Sequence, residues 1–136
     1  MKKFVMATVA GYIVLMATNY LVHSVLLMSD YAAIPASHRT TDGIMHRFWV
    51  MAIGQLFFAA AFACIYQRGR EAKPWLPQAI RYAITATFLT VVPYSLGEYV
   101  VYIVPYQLAI KWIVAGTIQL ALMGLIVAAI YNDQPA

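Results

Sequence analysis

The sequence predicts an all-α membrane protein, a bundle of four transmembrane helices forming one domain over residues 1–136. Three observations predict it. Hydrophobic residues make up 63% of the chain and charged ones only 10%, where an average soluble domain carries roughly a quarter charged residues. The mean hydropathy is +0.73. Four apolar stretches reach the ~20 residues needed to cross a hydrocarbon layer ~30 Å thick at 1.5 Å rise per residue. So few charges cannot cover a water-facing surface, which argues against soluble enzymes, disordered chains and nucleic-acid-binding domains. No nucleic-acid partner is expected.

The first helix is expected over residues 4–27. Lys2 and Lys3 precede it as they would in a secretory signal. The apolar run, however, outlasts the usual core of ~7–15 residues and closes without a small-x-small site, so it reads as a span that stays. The second helix is expected over 48–66, with Thr40-Thr41-Asp42 as its start signal and Gly69 supplying a left-handed turn at its end. The third is expected over 82–104 and the fourth over 108–131, joined by a tight turn at Pro105-Tyr106-Gln107. Cys64 lies deep in the second helix and reads as a small buried apolar residue.

Basic residues set the expected orientation. Lys2, Lys3, Arg68, Arg70, Lys73 and Arg81 fall on one side of a four-span arrangement. Arg39, Arg47 and Lys111 fall on the other. The positive-inside rule then places both termini in the cytoplasm. Aromatic residues cluster near both interfaces, Trp49, Trp112, Tyr31, Tyr102 and Tyr106 at the outer one and Trp75, Tyr66, Tyr82 and Tyr131 at the inner one. The net charge of +4 is thus a topology signal.

Helices two and four share a pattern suiting two repeated helical hairpins. Helix two carries Arg47-Phe48-Trp49, Gln55-Leu56 and Ile65-Tyr66, and helix four carries Lys111-Trp112, Gln119-Leu120 and Ile130-Tyr131. Interface anchoring accounts for all of this except the glutamines. Small residues that permit close helix approach are Ala7, Gly11, Ala52, Ala59–Ala61, Gly116 and Gly124.

Ionisable groups within hydrocarbon cost roughly 2.5–3.5 kcal/mol near a helix centre, so each needs an account. Glu98 is the one acidic residue placed within a predicted span. Lys111 lies at similar depth on the neighbouring helix, where it can pair with Glu98 or snorkel outward. Pro93 is expected to kink helix three by freeing the carbonyl of Leu89. Tyr94 and Glu98 follow on one face, with Gly97 between them. Helix one adds Asn19 and His23, four apart, and helices two and four add Gln55 and Gln119. Asn19, His23, Tyr94, Glu98, Lys111 and Gln119 are therefore the candidate ligand or ion pocket. In the first loop His38, Asp42 and His46 recur every four residues, but Asp42 reads as a cap, so no metal site is expected.

The chain carries no Gly-rich phosphate loop, no GxSxG, no HExxH and no CxxC, and its longest loop is about 20 residues. No catalytic residue and no cofactor are expected. Tyr66-Gln67-Arg68-Gly69-Arg70-Glu71, Ile80-Arg81-Tyr82, Val91-Val92-Pro93-Tyr94 and Pro105 followed by Leu108-Ala109-Ile110-Lys111-Trp112 cover about half the chain. In these elements it resembles an uncharacterised family of short, four-helix bacterial integral membrane proteins. The resemblance implies the bacterial inner membrane and transfers no site residue. The expected function is that of a small non-catalytic accessory or interaction subunit. It would lie in the lipid bilayer, with copies of itself or other membrane proteins as partners. The alternative is a carrier or binding protein for an ion or small apolar ligand. A membrane enzyme using His23 and Glu98 as an acid–base pair has the least support, because no nucleophile, metal cluster or cofactor motif accompanies them.

Overall fold

The structure, a computed structural model, describes residues 1–34 and 39–132. Every regular element among these residues is helical. Four helices are long and apolar enough to cross a membrane: Lys2–Leu26, Phe48–Gly69, Trp75–Val101 and Tyr106–Tyr131. The expected all-α four-helix bundle is therefore the observed fold. Two short helices, Met28–Ala32 and Thr41–Met45, lie between the first two spans.

Several boundaries differ from the expected ones, each for a local reason. The third span starts at Trp75, with Pro74 at its N-cap, so the charged loop shrinks to residues 70–74. Gln78 holds that loop. Its Oε1 accepts from the Glu71 N–H at 2.7 Å, and its Nε2 donates to the carbonyls of Glu71 at 3.0 Å and Lys73 at 2.7 Å. The second span ends without a left-handed glycine, since no described residue has a positive φ. Arg70 leaves directly into extended backbone (φ −71°, ψ 142°), and its guanidinium donates to the Tyr131 carbonyl at 2.7 Å. The third span stops at Val101 rather than 104, because Ile103 and Val104 lead into Pro105, which disfavours helix before it. Thr40, not Asp42, is the capping residue, and it caps the separate helix Thr41–Met45 by accepting from the Gly43 N–H at 3.3 Å.

Two spans contain π-helical turns, at Tyr20–Leu26 and Thr87–Val91. The second stands immediately before Val92-Pro93. Proline lacks an N–H, and its ring crowds the carbonyl four residues back, here Leu89. Widening the turn that contains Leu89 lets the helix run on to Val101 without a break. Threonine hydroxyls bond back to the preceding turn beside both segments, Thr18 to Val14 at 2.7 Å, Thr87 to Ala83 at 2.9 Å and Thr90 to Ala86 at 2.7 Å. Such back-bonding loosens a helix slightly and gives its carbonyls a second donor.

The first span packs against the second and the fourth, and the fourth also packs along the third. The fourth is therefore central. The second and third meet only near the end that carries the chain termini, where Tyr82 stacks edge-on to Phe62 and donates to its carbonyl at 2.7 Å. The two helices sharing the sequence pattern thus take unequal positions. Gln119 of the fourth is buried between neighbours, while on the second only Ala52 and Gln55 are half-buried between Phe48 and Phe57. The main core joins Ala7, Leu15, Ala59, Phe62, Ala63, Leu120, Met123 and Val127. A smaller one at the opposite end joins Val22, Leu27, Val104 and Leu108.

Glycines set the spacing around the fourth span. A Cβ on Gly116 would stand 2.7 Å from Val91 Cγ1, and one on Gly124 would stand 3.2 Å from the Ala79 carbonyl oxygen. On Gly11 it would meet the tip of Met123 at 2.7 Å. Gly54 and Gly97 face open space. Backbone cannot yield as a side-chain tip can, so Gly124→Leu should cost far more than the same change at Gly54. Its overpacking loss should be about 1–3 kcal/mol, against within about 0.5 kcal/mol for Gly54→Leu. Thermal unfolding in a mild detergent checks the ranking, and equal midpoints for the two variants would refute it.

Candidate functional site

The first span ends in the π-helical turn that carries His23, and Leu27 (φ −100°, ψ 6°) then turns the chain into the helix Met28–Ala32. This short helix folds across the end of the fourth span. It brings Asp30 and Tyr31 onto Lys111 and Trp112, two consecutive residues of that span. Lys111 Nζ donates to both carboxylate oxygens of Asp30, at 2.7 and 2.8 Å. The expected Glu98–Lys111 pair is therefore not formed. The sequence reading treated residues 28–47 as one loop, so Asp30 had no position from which to compete.

Trp112 Nε1 donates to the Tyr31 hydroxyl oxygen at 2.9 Å. The same hydroxyl is hydrogen-bonded to His23 Nδ1, and the two rings stack with centroids 5.9 Å apart. Indole nitrogen can only donate, so Tyr31 accepts from Trp112 and has its own O–H to offer to Nδ1. Burial pushes the Tyr31 hydroxyl above its ordinary pKa; the Trp112 hydrogen bond pulls it down, and nearby Asp30 pushes it up again. About two turns deeper along the fourth span, Gln119 Nε2 donates to Thr18 Oγ1 and Asn19 Oδ1, each at 3.0 Å. The fourth span is thus joined by three successive polar ties to the first span and the short helix after it.

Of the six expected site residues, Asn19, His23, Lys111 and Gln119 belong to these ties. Tyr94 and Glu98 form a neighbouring pair on the third span, the carboxylate beside the hydroxyl one turn away. Tyr94 also lies near enough to Tyr31 to act on it electrostatically. Glu98 sits within the last helical turn, nearer the span's end than expected, because the helix stops at Val101. A charge there is closer to water and costs less than one at mid-span. Asn19, His23, Lys111 and Gln119 are therefore engaged with one another or with Thr18, Asp30, Tyr31 and Trp112, while Tyr94, 68% exposed, and Glu98 form their own pair on the third span. Of those partners Thr18 and Asp30 were left without a role by sequence reasoning, although a carboxylate one turn beyond a span and at interface depth is a signal for a nearby lysine.

His38 of the proposed loop constellation lies outside the described residues. Among the described residues no group of three His, Cys, Asp or Glu could hold a metal ion. Cys64 is half-buried.

A cleft lies at the other end. It measures about 360 Å³ and opens between the ends of the second and fourth spans and the start of the third. No family model matches the chain, and neither the curated proteins nor the solved structures provide a match.

Because Lys111 pairs with Asp30 across partly exposed surface, Asp30→Asn and Lys111→Met should show a coupling of about 0.5–1 kcal/mol in a double-mutant cycle. Glu98→Gln and Lys111→Met should instead add within about 0.5 kcal/mol. Detergent unfolding of the two cycles checks this, and the opposite ranking would restore the Glu98–Lys111 pair.

Proposed function

We propose that the protein is a non-catalytic subunit of a membrane assembly, acting by packing against copies of itself or other integral membrane proteins. One observation carries this reading. The polar side chains of the fourth span are spent on the first span and on the short helix that follows it, at Gln119–Thr18–Asn19, Trp112–Tyr31–His23 and Lys111–Asp30. Groups engaged in this way fasten helices together and have little left to offer a transported ion. Support also comes from the second span, whose half between Phe48 and Phe57 is exposed except at Ala52 and Gln55. Trp49 and Phe57 stand out from it at 63% and 73% exposure. A helix apolar on every side and covered on few belongs in lipid or against a neighbour. Gln55 adds an amide at hydrocarbon depth on that sparsely covered stretch, and such amides favour helix association.

The assembly belongs, in this reading, to the bacterial inner membrane. The end bearing Lys2, Lys3, Arg68, Arg70, Lys73 and Arg81 faces the cytoplasm, as the distribution of basic residues supports.

Cross-linking in intact membranes followed by mild-detergent extraction should recover the protein in a complex larger than one chain. A lone monomer under both conditions would defeat the proposal. A phosphatase reporter that is active only outside the cytoplasm should be silent when fused to the C-terminus and active when inserted after residue 40. The reverse pattern would overturn the orientation.

A further inference from the structure

The two glutamines of the repeated sequence pattern have unequal fates. Gln119 is buried on the fourth span, and its Nε2 is committed to Thr18 and Asn19. Gln55 is half-buried on the second span, and among the described residues no hydrogen bond reaches its amide. It belongs to the helix Phe48–Gly69, where it stands ~10 Å from the outer end and ~21 Å from the inner one. Its side chain is too short to carry the amide from there to either interface. An amide without a partner in apolar surroundings is costly, and lipid tails have no hydrogen bond to give it.

The seam on which Gln55 lies is covered at one end and bare at the other. Phe48, Met51, Gln55, Phe58 and Phe62 follow at alternating spacings of three and four residues, which sets them in one line along the helix. The protein covers the inner part itself. Phe62 is buried edge-on to Tyr82 of the third span, and Phe58 packs against the main core. In the outer part Phe48 and Met51 are 42% and 43% exposed, and Gln55 lies beside them. The third span, which covers the seam at Phe62, does not follow it outward.

We infer that a second copy of this chain covers the outer half of that seam, the two second spans lying parallel with their Gln55 amides hydrogen-bonded to each other across a two-fold axis. The inference rests on the packing role proposed above and names the partner. Copies of one chain enter the membrane with the same orientation, so a two-fold axis relating them runs along the membrane normal. Each residue beside that axis then meets its own equivalent at the same depth. An amide carries both donor and acceptor, so Gln55 is complementary to itself, each Nε2 donating to the Oε1 of the other copy. A polar residue at one position of a three-four seam also fixes the register and the number of helices that pair. Phe48 and Met51 supply the close contact beside it. The glutamine of the fourth span fastens helices within one chain, and that of the second fastens two chains.

Disulfide cross-linking in intact membranes, with copper phenanthroline and dissolved oxygen as oxidant, tests the inference in a Cys64→Ala background. Met51→Cys, on the seam, should yield a homodimer. Trp49→Cys, on the opposite face near the same depth, should yield at least about tenfold less. Adding Gln55→Leu to Met51→Cys should lower the dimer at least about threefold, whereas Gln55→Asn, which keeps an amide, should retain most of it. Gln55→Leu should not lower the unfolding midpoint of the detergent-dissolved monomer, since the amide holds nothing in its own chain; a lowered midpoint would overturn the inference. Equal yields from Met51→Cys and Trp49→Cys would overturn it, as would a Gln55→Leu yield unchanged from that of Met51→Cys alone. Recovery of the protein in a larger complex in which Met51→Cys gives no homodimer would overturn the pairing and leave the subunit role standing. A lone monomer throughout would overturn both.

Discussion

Hydrocarbon offers no hydrogen bonds, and this one absence governs the structure from backbone to side chain. Every N–H and C=O within the spans must find its partner inside the chain, which leaves helices as the available form for this sequence. The same demand reaches the hydroxyls. Thr18, Thr85, Thr87, Thr90 and Thr117 all bond back to carbonyls three or four residues earlier in their own helices. It also explains the response to Pro93. A break in the helix would strand several carbonyls, whereas a π-helical turn at Thr87–Val91 redistributes them and preserves the span.

With the backbone satisfied, packing decides how the spans meet. Lipid is as apolar as leucine, so burial alone does little to draw helices together within it; close van der Waals contact and side-chain hydrogen bonds must do so. The fourth span supplies both. Its glycines at 116 and 124 admit the third span, and Met123 reaches over Gly11 of the first. Gln119 then ties it to Thr18 and Asn19. The second span has fewer such features beyond its contacts with Tyr82 near the basic end, and its far half is correspondingly bare.

The two ends of the bundle have different chemistry. At one, Asp30, Tyr31 and His23 close over Lys111 and Trp112, joining the short helix to the fourth span. At the other, aromatic rings from three spans converge on a cleft that Arg70, Glu71 and Lys73 also line. Polar groups that satisfy one another stabilise a fold, and polar groups left facing a cavity invite a ligand.

The sequence by itself determined the fold class, the number of spans and the basic asymmetry of the two ends. These depend on composition and run length, which are one-dimensional properties. It also singled out Asn19, His23, Tyr94, Glu98, Lys111 and Gln119, because intramembrane polarity is costly wherever it occurs. Only the tertiary structure decided which of them meet. Lys111 could reach a carboxylate on the third span or on the connection after the first, and the choice fell to Asp30 once Met28–Ala32 became a helix folded across the fourth span. Helix start and stop were misplaced where Gln78, a side chain seven residues away, holds the loop at Glu71. The cleft was invisible for the same reason. Tyr66, Arg70, Trp75 and Tyr131 are spread over 66 positions of the chain, and only the packing of three spans brings them to one cavity.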